Sequence, residues 1–113
     1  MKDKIILNKI VNYIKELYDF IDRYKYEQFQ CDKKTINACV FNLSQIGELV
    51  SKLSDSIIEN NPDIEWRGLK SLRNRIVHDY DGVNLTMIWG FLTTELNELE
   101  IQITGIINDK SGK

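Results

Sequence analysis

Histidine, proline and cysteine are scarce in this chain, and their scarcity excludes several classes of site. The 113 residues contain one histidine, one proline and two cysteines. Cys31 and Cys39 lack the CxxC spacing of metal and redox motifs and are too few for a disulfide framework, so we expect both to be structural. One histidine without an HExxH motif leaves no recognisable metal site, and we expect neither a metal nor another cofactor.

Long apolar runs and an excess of basic charge are also missing. The longest apolar runs, such as ACVF at 38–41, fall far short of the roughly 20 residues that cross a bilayer. The N-terminal MKDKIILNKI mixes charge with apolar residues where a secretory signal would have a continuous apolar segment. We therefore expect a cytoplasmic protein without a membrane partner. A net charge of -2 and a pI of about 5.4 exclude a global basic field, so any binding of nucleic acid must be local.

The sequence does contain, almost throughout, the three-to-four-residue period of amphipathic helices. It predicts that residues 1–113 form one all-α domain, an up-and-down bundle of four main helices plus a short helical turn. The stretch KYEQFQCDKK loosens the period between the first two helices, and the segment around Pro62 suits a loop with a helical turn. Gly82 is placed to end the third helix and Asn84 to cap the fourth. The main helices are predicted at about residues 6–24, 35–53, 63–80 and 85–106.

The predicted third helix carries an arginine on its apolar side. At about 100° per residue, Trp66 and Arg73 fall on one stripe. Buried arginines are usually paired, and Glu48 on the second helix is the candidate partner. It either orients Arg73 or is an ordinary surface charge. Asn74 and His78 are neighbours at i, i+4 on an adjoining face, with His78 about 140° around the helix from Arg73.

Arg73 and His78 together suit the cleavage of RNA. A guanidinium offers a planar set of donors for phosphate oxygens, and an imidazole accepts and donates protons near neutral pH. Because the 2′-hydroxyl of RNA is an internal nucleophile, a base, an acid and a cation are sufficient without a metal. Residues 65–78 hold four basic residues and one acidic residue, which is locally basic on an acidic chain.

Two other interpretations of the same residues remain open. The chain could be a non-catalytic helical adaptor that binds a nucleotidyltransferase or a nucleotide, with Arg73 and His78 recognising phosphate. It could also be a structural dimeric bundle in which the segment RNRIVH forms a buried polar network.

The residues around Arg73 and His78 resemble a known family. RNRIVHDY, at 73–80, matches the RxxxxHxY motif of the HEPN ribonucleases and in particular of the HepT-like toxins. QIGELVSKLS and the following NPDIEWRGLKSLRNRIVHDYDGVNLTMIW are similar to the central block of those proteins. The resemblance covers roughly residues 5–107 in helix order and spacing, its specific part is residues 45–89, and it implies the HEPN fold.

The resemblance also implies a function, partners and a role for each motif residue. HepT-like toxins are metal-independent endoribonucleases of type VII toxin–antitoxin systems, and they act on RNA as homodimers with two motifs facing one cleft. Arg73 would bind phosphate and stabilise the transition state, His78 would be the general acid or base, and Asn74 the polar helper. MntA-type nucleotidyltransferase antitoxins transfer AMP to the motif tyrosine, which is Tyr80 here.

Overall fold

The computed structural model describes residues 2–78 and 84–109, with the side chains of 75–78 outside the description. Every regular element in these two ranges is a helix, which confirms the predicted all-α class. The elements are α1 (Lys2–Phe20), α2 (Tyr26–Cys31), α3 (Lys33–Val50), α4 (Asp55–Asn60), α5 (Trp66–His78), α6 (Leu85–Gly90), a π-helical turn (Phe91–Glu95) and α7 (Leu96–Ile107).

Four long helical segments enclose the core, as the period of the sequence predicts. They are α1, α3, α5 and the continuous run from α6 through the π-helical turn to α7. Helix α3 packs against both α1 and α5, and α1 also packs against α7. Burying one apolar face of each helix against the others supplies the main driving force for this arrangement. Among the described residues, the fully buried aliphatic side chains are Ile10, Ile14, Leu17, Ile46, Val50, Ile88, Leu92, Leu96 and Ile103.

The stretch expected to interrupt the helical pattern contains a short helix, α2. Its one buried side chain is Phe29, which packs on Trp89 with ring centroids 5.0 Å apart. One buried position in six residues leaves no period in the sequence. Helix α2 is therefore stabilised by the tertiary packing of Phe29 and not by an apolar face of its own.

Side-chain caps fix where α3 and α6 begin. An Asp32 carboxylate oxygen accepts from the Thr35 backbone N–H at 3.1 Å, so α3 begins at Lys33. Hydrogen bonds from the Tyr24 hydroxyl and from Thr35 lower the pKa of the Asp32 carboxyl to about 2. Asn84 accepts from the Met87 backbone N–H at 3.2 Å, which confirms Asn84 as the predicted N-cap of the last helix. The predicted stop at Gly82 lies outside the described residues.

The segment around Pro62 contains the expected short helical turn, α4. Ser54 caps it by accepting from the Ile57 backbone N–H, and the Ser54 hydroxyl donates to the Asp3 carboxylate at 2.6 Å. This bond joins the start of α4 to the start of α1. Helix α5 then begins at Trp66, three residues after the predicted position. Its start is fixed by the buried Trp66 indole, whose N–H donates to the Asn61 carbonyl at 3.0 Å.

A buried amide joins α1 to α3. Asn42 is 3% exposed, and its side-chain nitrogen donates to the Tyr13 carbonyl at 3.2 Å and to the Glu16 carboxylate at 2.9 Å. Because buried polar groups are costly without partners, these bonds fix the position of α3 along α1.

The two cysteines differ in environment. Cys39 lies in the core, where burial raises the pKa of its thiol to about 12, and Cys31 is exposed at the end of α2. Over the described ranges, none of the helices has the length and apolar character needed for a membrane span.

Candidate active site

Arg73 lies where α5 crosses α3, directly over a glycine. The point where Gly47 would carry a Cβ is 2.3 Å from the Arg73 Cβ and 2.9 Å from its Cγ. The aliphatic part of the arginine therefore packs on the backbone of α3. The sequence predicts an arginine on the apolar side of α5, and the structure places it at this helix contact with a third of its side chain exposed.

Among the described residues, two side chains hold the guanidinium of Arg73. One terminal nitrogen lies 2.6 Å from a carboxylate oxygen of Glu48, and the other donates to the Asn74 side-chain oxygen at 3.0 Å. The side chains of Arg73 and Glu48 are 33% and 42% exposed, so the pair lies at the surface end of the helix contact. The expected pairing of Glu48 with Arg73 is thus present. These contacts use two of the five guanidinium N–H donors.

Asn74 lies on the outer side of α5. Asn74 is exposed, and its contact with Arg73 places the two side chains together. His78 is the last residue of α5. Helix geometry sets its backbone about 7.5 Å along the axis from Arg73 and one turn after Asn74. The side chain of His78 and the whole of Tyr80 lie outside the described residues.

The outer side of α5 is basic. The helix contains four lysine or arginine residues and neither aspartate nor glutamate. Arg67, Lys70 and Asn74 are exposed, and they recur in steps of three and four residues along one side of the helix. Phosphate groups would therefore meet a positive surface on a chain whose net charge is negative.

An open groove between α5 and the last helical run has the opposite character. Leu69, Leu72 and Phe91 form its apolar part, with Glu65 and Glu95 beside them. The carboxylates disfavour RNA in this groove, and Arg73 does not line it. Across the part of the chain that the structure describes, no group of three or more His, Cys, Asp or Glu side chains could hold a metal ion.

Gly47 is the site residue that the sequence analysis missed. A glycine inside a helix ordinarily lowers the stability of the protein slightly, by about 1 kcal/mol relative to alanine. Its presence within the otherwise strong helical pattern of α3 was the available indication of a close approach by another backbone. The pattern does not say which helix approaches.

Comparison with known proteins places these residues in a family. The Ribonuclease HepT-like family matches residues 10–106. Two proteins of Methanocaldococcus jannaschii, both named as candidate RNases, are 31% and 32% identical over 110 residues, covering 97% of this chain and 91% of each relative. A protein of Thermococcus cleftensis named as a probable ribonuclease HepT is 29% identical over 97 residues, covering 86% of this chain and 88% of the relative. No solved structure matches the chain. The chain therefore belongs to the HepT-like ribonuclease family.

Proposed function

We propose that this protein is a metal-independent endoribonuclease that acts as the toxin of a toxin–antitoxin pair. The observation that carries the proposal is the partly exposed guanidinium of Arg73, held by Glu48 and Asn74 on the helix that ends at His78. Membership of a ribonuclease family supports RNA as the substrate.

The proposed reaction is transesterification within the RNA. A general base takes the proton of the 2′-hydroxyl, the 2′-oxygen attacks the phosphorus, and the bond from phosphorus to the 5′-oxygen breaks. A general acid gives its proton to the departing 5′-oxygen, which leaves a 2′,3′-cyclic phosphate and a 5′-hydroxyl. Arg73 stabilises the negative charge that develops on the phosphate oxygens, and His78 transfers a proton.

A homodimer completes this chemistry. One chain has a single histidine, whereas the reaction uses both a base and an acid. A two-fold axis that faces two α5 helices across one cleft supplies a second His78 and a second Arg73. A mixed dimer of one wild-type subunit and one subunit carrying Arg73→Ala and His78→Ala should then cleave poorly. Full activity per wild-type subunit in that dimer, or in a strict monomer, would contradict the shared site.

The basic side of α5 supplies the path for the rest of the RNA strand. From Lys70 to His78 the helix rises about 12 Å, which corresponds to three or four nucleotides at roughly 3.4 Å per stacked nucleotide. Arg67 and Lys70 are therefore placed to contact phosphates next to the one that is cleaved.

Tyr80 is the proposed point of regulation. An MntA-type nucleotidyltransferase partner would attach AMP to its phenol, two residues after His78. The added phosphate and base would compete with RNA for Arg73 and block the cleft, by the charge effects that apply to phosphorylation. Co-expression with such an enzyme should add whole AMP units to the intact mass, and Tyr80→Phe should abolish the gain. Equal modification of Tyr80→Phe would move the site elsewhere.

The decisive experiment is cleavage of RNA by the purified protein with and without EDTA. We expect undiminished activity in EDTA and cyclic phosphate ends, with His78→Ala and Arg73→Ala each at least about 10²-fold slower but still folded. Arg73→Lys should also fail because an ammonium lacks the planar set of donors. Lys15→Ala, an exposed position on α1, is the control for loss of a positive charge. Loss of activity in EDTA, normal cleavage by His78→Ala, or RNA binding without cleavage would refute the mechanism, and the last would favour an adaptor.

A further inference from the structure

We propose that Gly47 is a positioning residue for Arg73, a role that depends on the catalytic role proposed for the arginine. Without a side chain at position 47, α5 can lie close enough to α3 for the guanidinium to meet Glu48 and still reach RNA. Gly47 and Glu48 are consecutive in α3. This short segment therefore sets both the distance of Arg73 from α3 and the orientation of its guanidinium.

The contact leaves no room for a methyl group. Gly47 is buried, and a Cβ there would lie 2.3 Å from the Arg73 Cβ, 2.9 Å from its Cγ and 3.0 Å from the Leu69 carbonyl oxygen. The Cβ of Arg73 is attached to the backbone of α5, so rotation of the side chain cannot relieve the overlap. Reaching an ordinary 3.4 Å contact requires the two helices to separate locally by about 1 Å.

Separation on this scale would disturb the position of the guanidinium as well as the packing of the two helices. A reacting group displaced by about 1 Å can lose on the order of 10²-fold in rate. The helix α3 by itself would favour alanine over glycine at an interior position. The benefit of glycine at position 47 therefore lies in its contact with α5.

Other glycines in the described ranges provide matched controls. At Gly68, on α5 itself, the nearest atom to an added Cβ, apart from the adjoining residues and the nearby helix backbone, is the Glu65 Cβ at 3.6 Å. At Gly105, on α7, no atom beyond the adjoining residues and the nearby backbone of the same helix lies within 4 Å of an added Cβ. Gly68→Ala and Gly105→Ala make the same chemical change without forcing helices apart.

The first experiment measures single-turnover cleavage of a fluorescent RNA and thermal melting for these three variants. We expect Gly47→Ala to lower the maximal rate at least tenfold, with the enzyme concentration for half-maximal rate changed less than threefold. Gly68→Ala and Gly105→Ala should keep the wild-type rate within twofold. A maximal rate for Gly47→Ala within twofold of wild type would overturn the proposal.

The second experiment separates positioning from packing by repeating Gly47→Ala in an Arg73→Ala background. Alanine at 73 keeps the Cβ, so the steric overlap and its effect on melting persist, but the guanidinium is gone. We expect the further loss of rate to shrink to less than twofold. An equal fold-loss in both backgrounds would show that Gly47 acts only in packing.

A third measurement serves if Gly47→Ala does not fold. Arg73→Gly removes the overlapping Cβ and Cγ and, of the three nearest contacts, leaves only the 3.0 Å contact with the Leu69 carbonyl oxygen, so Gly47→Ala combined with Arg73→Gly should recover cooperative melting. Continued unfolding would show that Gly47 does not make room for the Arg73 side chain and would overturn the proposal. Failure of the role proposed for Gly47 can be distinguished from failure of the proposed function. Normal cleavage by Arg73→Ala would refute the function, whereas loss of cleavage in Arg73→Ala with normal cleavage in Gly47→Ala would refute only the role of Gly47.

Discussion

Replacing Glu48 should change stability, RNA affinity and catalytic rate in different directions. Its carboxylate lies 2.6 Å from an Arg73 nitrogen, with the two side chains 42% and 33% exposed. Exposed ion pairs of this kind contribute up to about 1 kcal/mol. We therefore expect Glu48→Gln to lower the melting temperature by less than about 6 °C.

The effect on RNA binding follows from the lost negative charge. A phosphate on the far side of the guanidinium would lie about 6 Å from the Glu48 carboxylate, and at a dielectric constant of 80 their repulsion is about 0.7 kcal/mol. Removing it should tighten RNA binding roughly threefold at low salt. The rate of Glu48→Gln should nevertheless fall, because Arg73 loses the negative charge that orients it. Glu48→Ala, which also removes the hydrogen bond, should lower the maximal rate about tenfold or more.

The assay is single-turnover RNA cleavage at several enzyme concentrations and two salt concentrations, together with thermal melting. Glu59→Gln, at an exposed position of α4, makes the same change of net charge. It should leave the rate unchanged. A wild-type maximal rate for Glu48→Ala would refute the orienting role, and a loss of cooperative melting would make Glu48 a structural residue.

Three further predictions follow from charge and burial. Asp32→Asn should have a lower melting temperature than wild type at pH 6, and the difference should shrink as the pH falls from about 4 toward 2. The folded-state pKa of Asp32 is lowered to about 2, so protonation in this range removes the stabilising carboxylate. A difference that stays constant with pH would contradict this. Iodoacetamide should modify the native protein once, at the exposed Cys31, because the raised pKa of the buried Cys39 suppresses its thiolate. Two rapid adducts on the folded protein would be inconsistent with a position of Cys39 in the core. Arg67→Ala and Lys70→Ala should each weaken RNA binding and reduce the slope of log affinity against log salt concentration by about 0.7, because each loses one phosphate contact. The maximal cleavage rate should stay within twofold of wild type. An unchanged slope would mean that the RNA strand does not follow this side of α5.

The long helices could be predicted from sequence because each buries a whole face. Residues such as Ile10, Leu43 and Ile103 recur with their neighbours every three or four positions, and the N-cap at Asn84 follows from local chemistry alone. Helix α2 could not be predicted in this way, because its single buried residue, Phe29, depends on contact with the distant Trp89.

The π-helical turn at Phe91–Glu95 was also invisible in the sequence. The hydroxyl of Thr93 donates to the Trp89 carbonyl at 2.8 Å, and that of Thr94 donates to the Gly90 carbonyl at 2.6 Å. Threonine hydroxyls bond to carbonyls of the preceding turn in ordinary helices as well, so their presence does not distinguish the two forms.

The candidate site, too, could be predicted from the sequence only in part. The position of Arg73 on the apolar side of α5 follows from helical geometry, and its pairing with Glu48 follows from the tendency of an arginine at an apolar face to have an acidic partner. The packing of Arg73 on Gly47 depends on which parts of two helices cross, and no periodic pattern contains that information. The proton-transfer role of His78 and the modification of Tyr80 stay predictions.

The buried amide of Asn42 has a consequence for the uniqueness of the fold. Apolar faces of two helices can often pack in more than one register, since sliding by one turn exchanges similar side chains. A slide of α3 along α1 would carry the Asn42 amide away from the Tyr13 carbonyl and the Glu16 carboxylate that it now meets. The displaced amide would remain inside the core without acceptors, which makes the alternative registers unfavourable. Asn42 thereby selects one alignment of α3, and with it a single level in the bundle for Gly47, Glu48 and the arginine that rests on them.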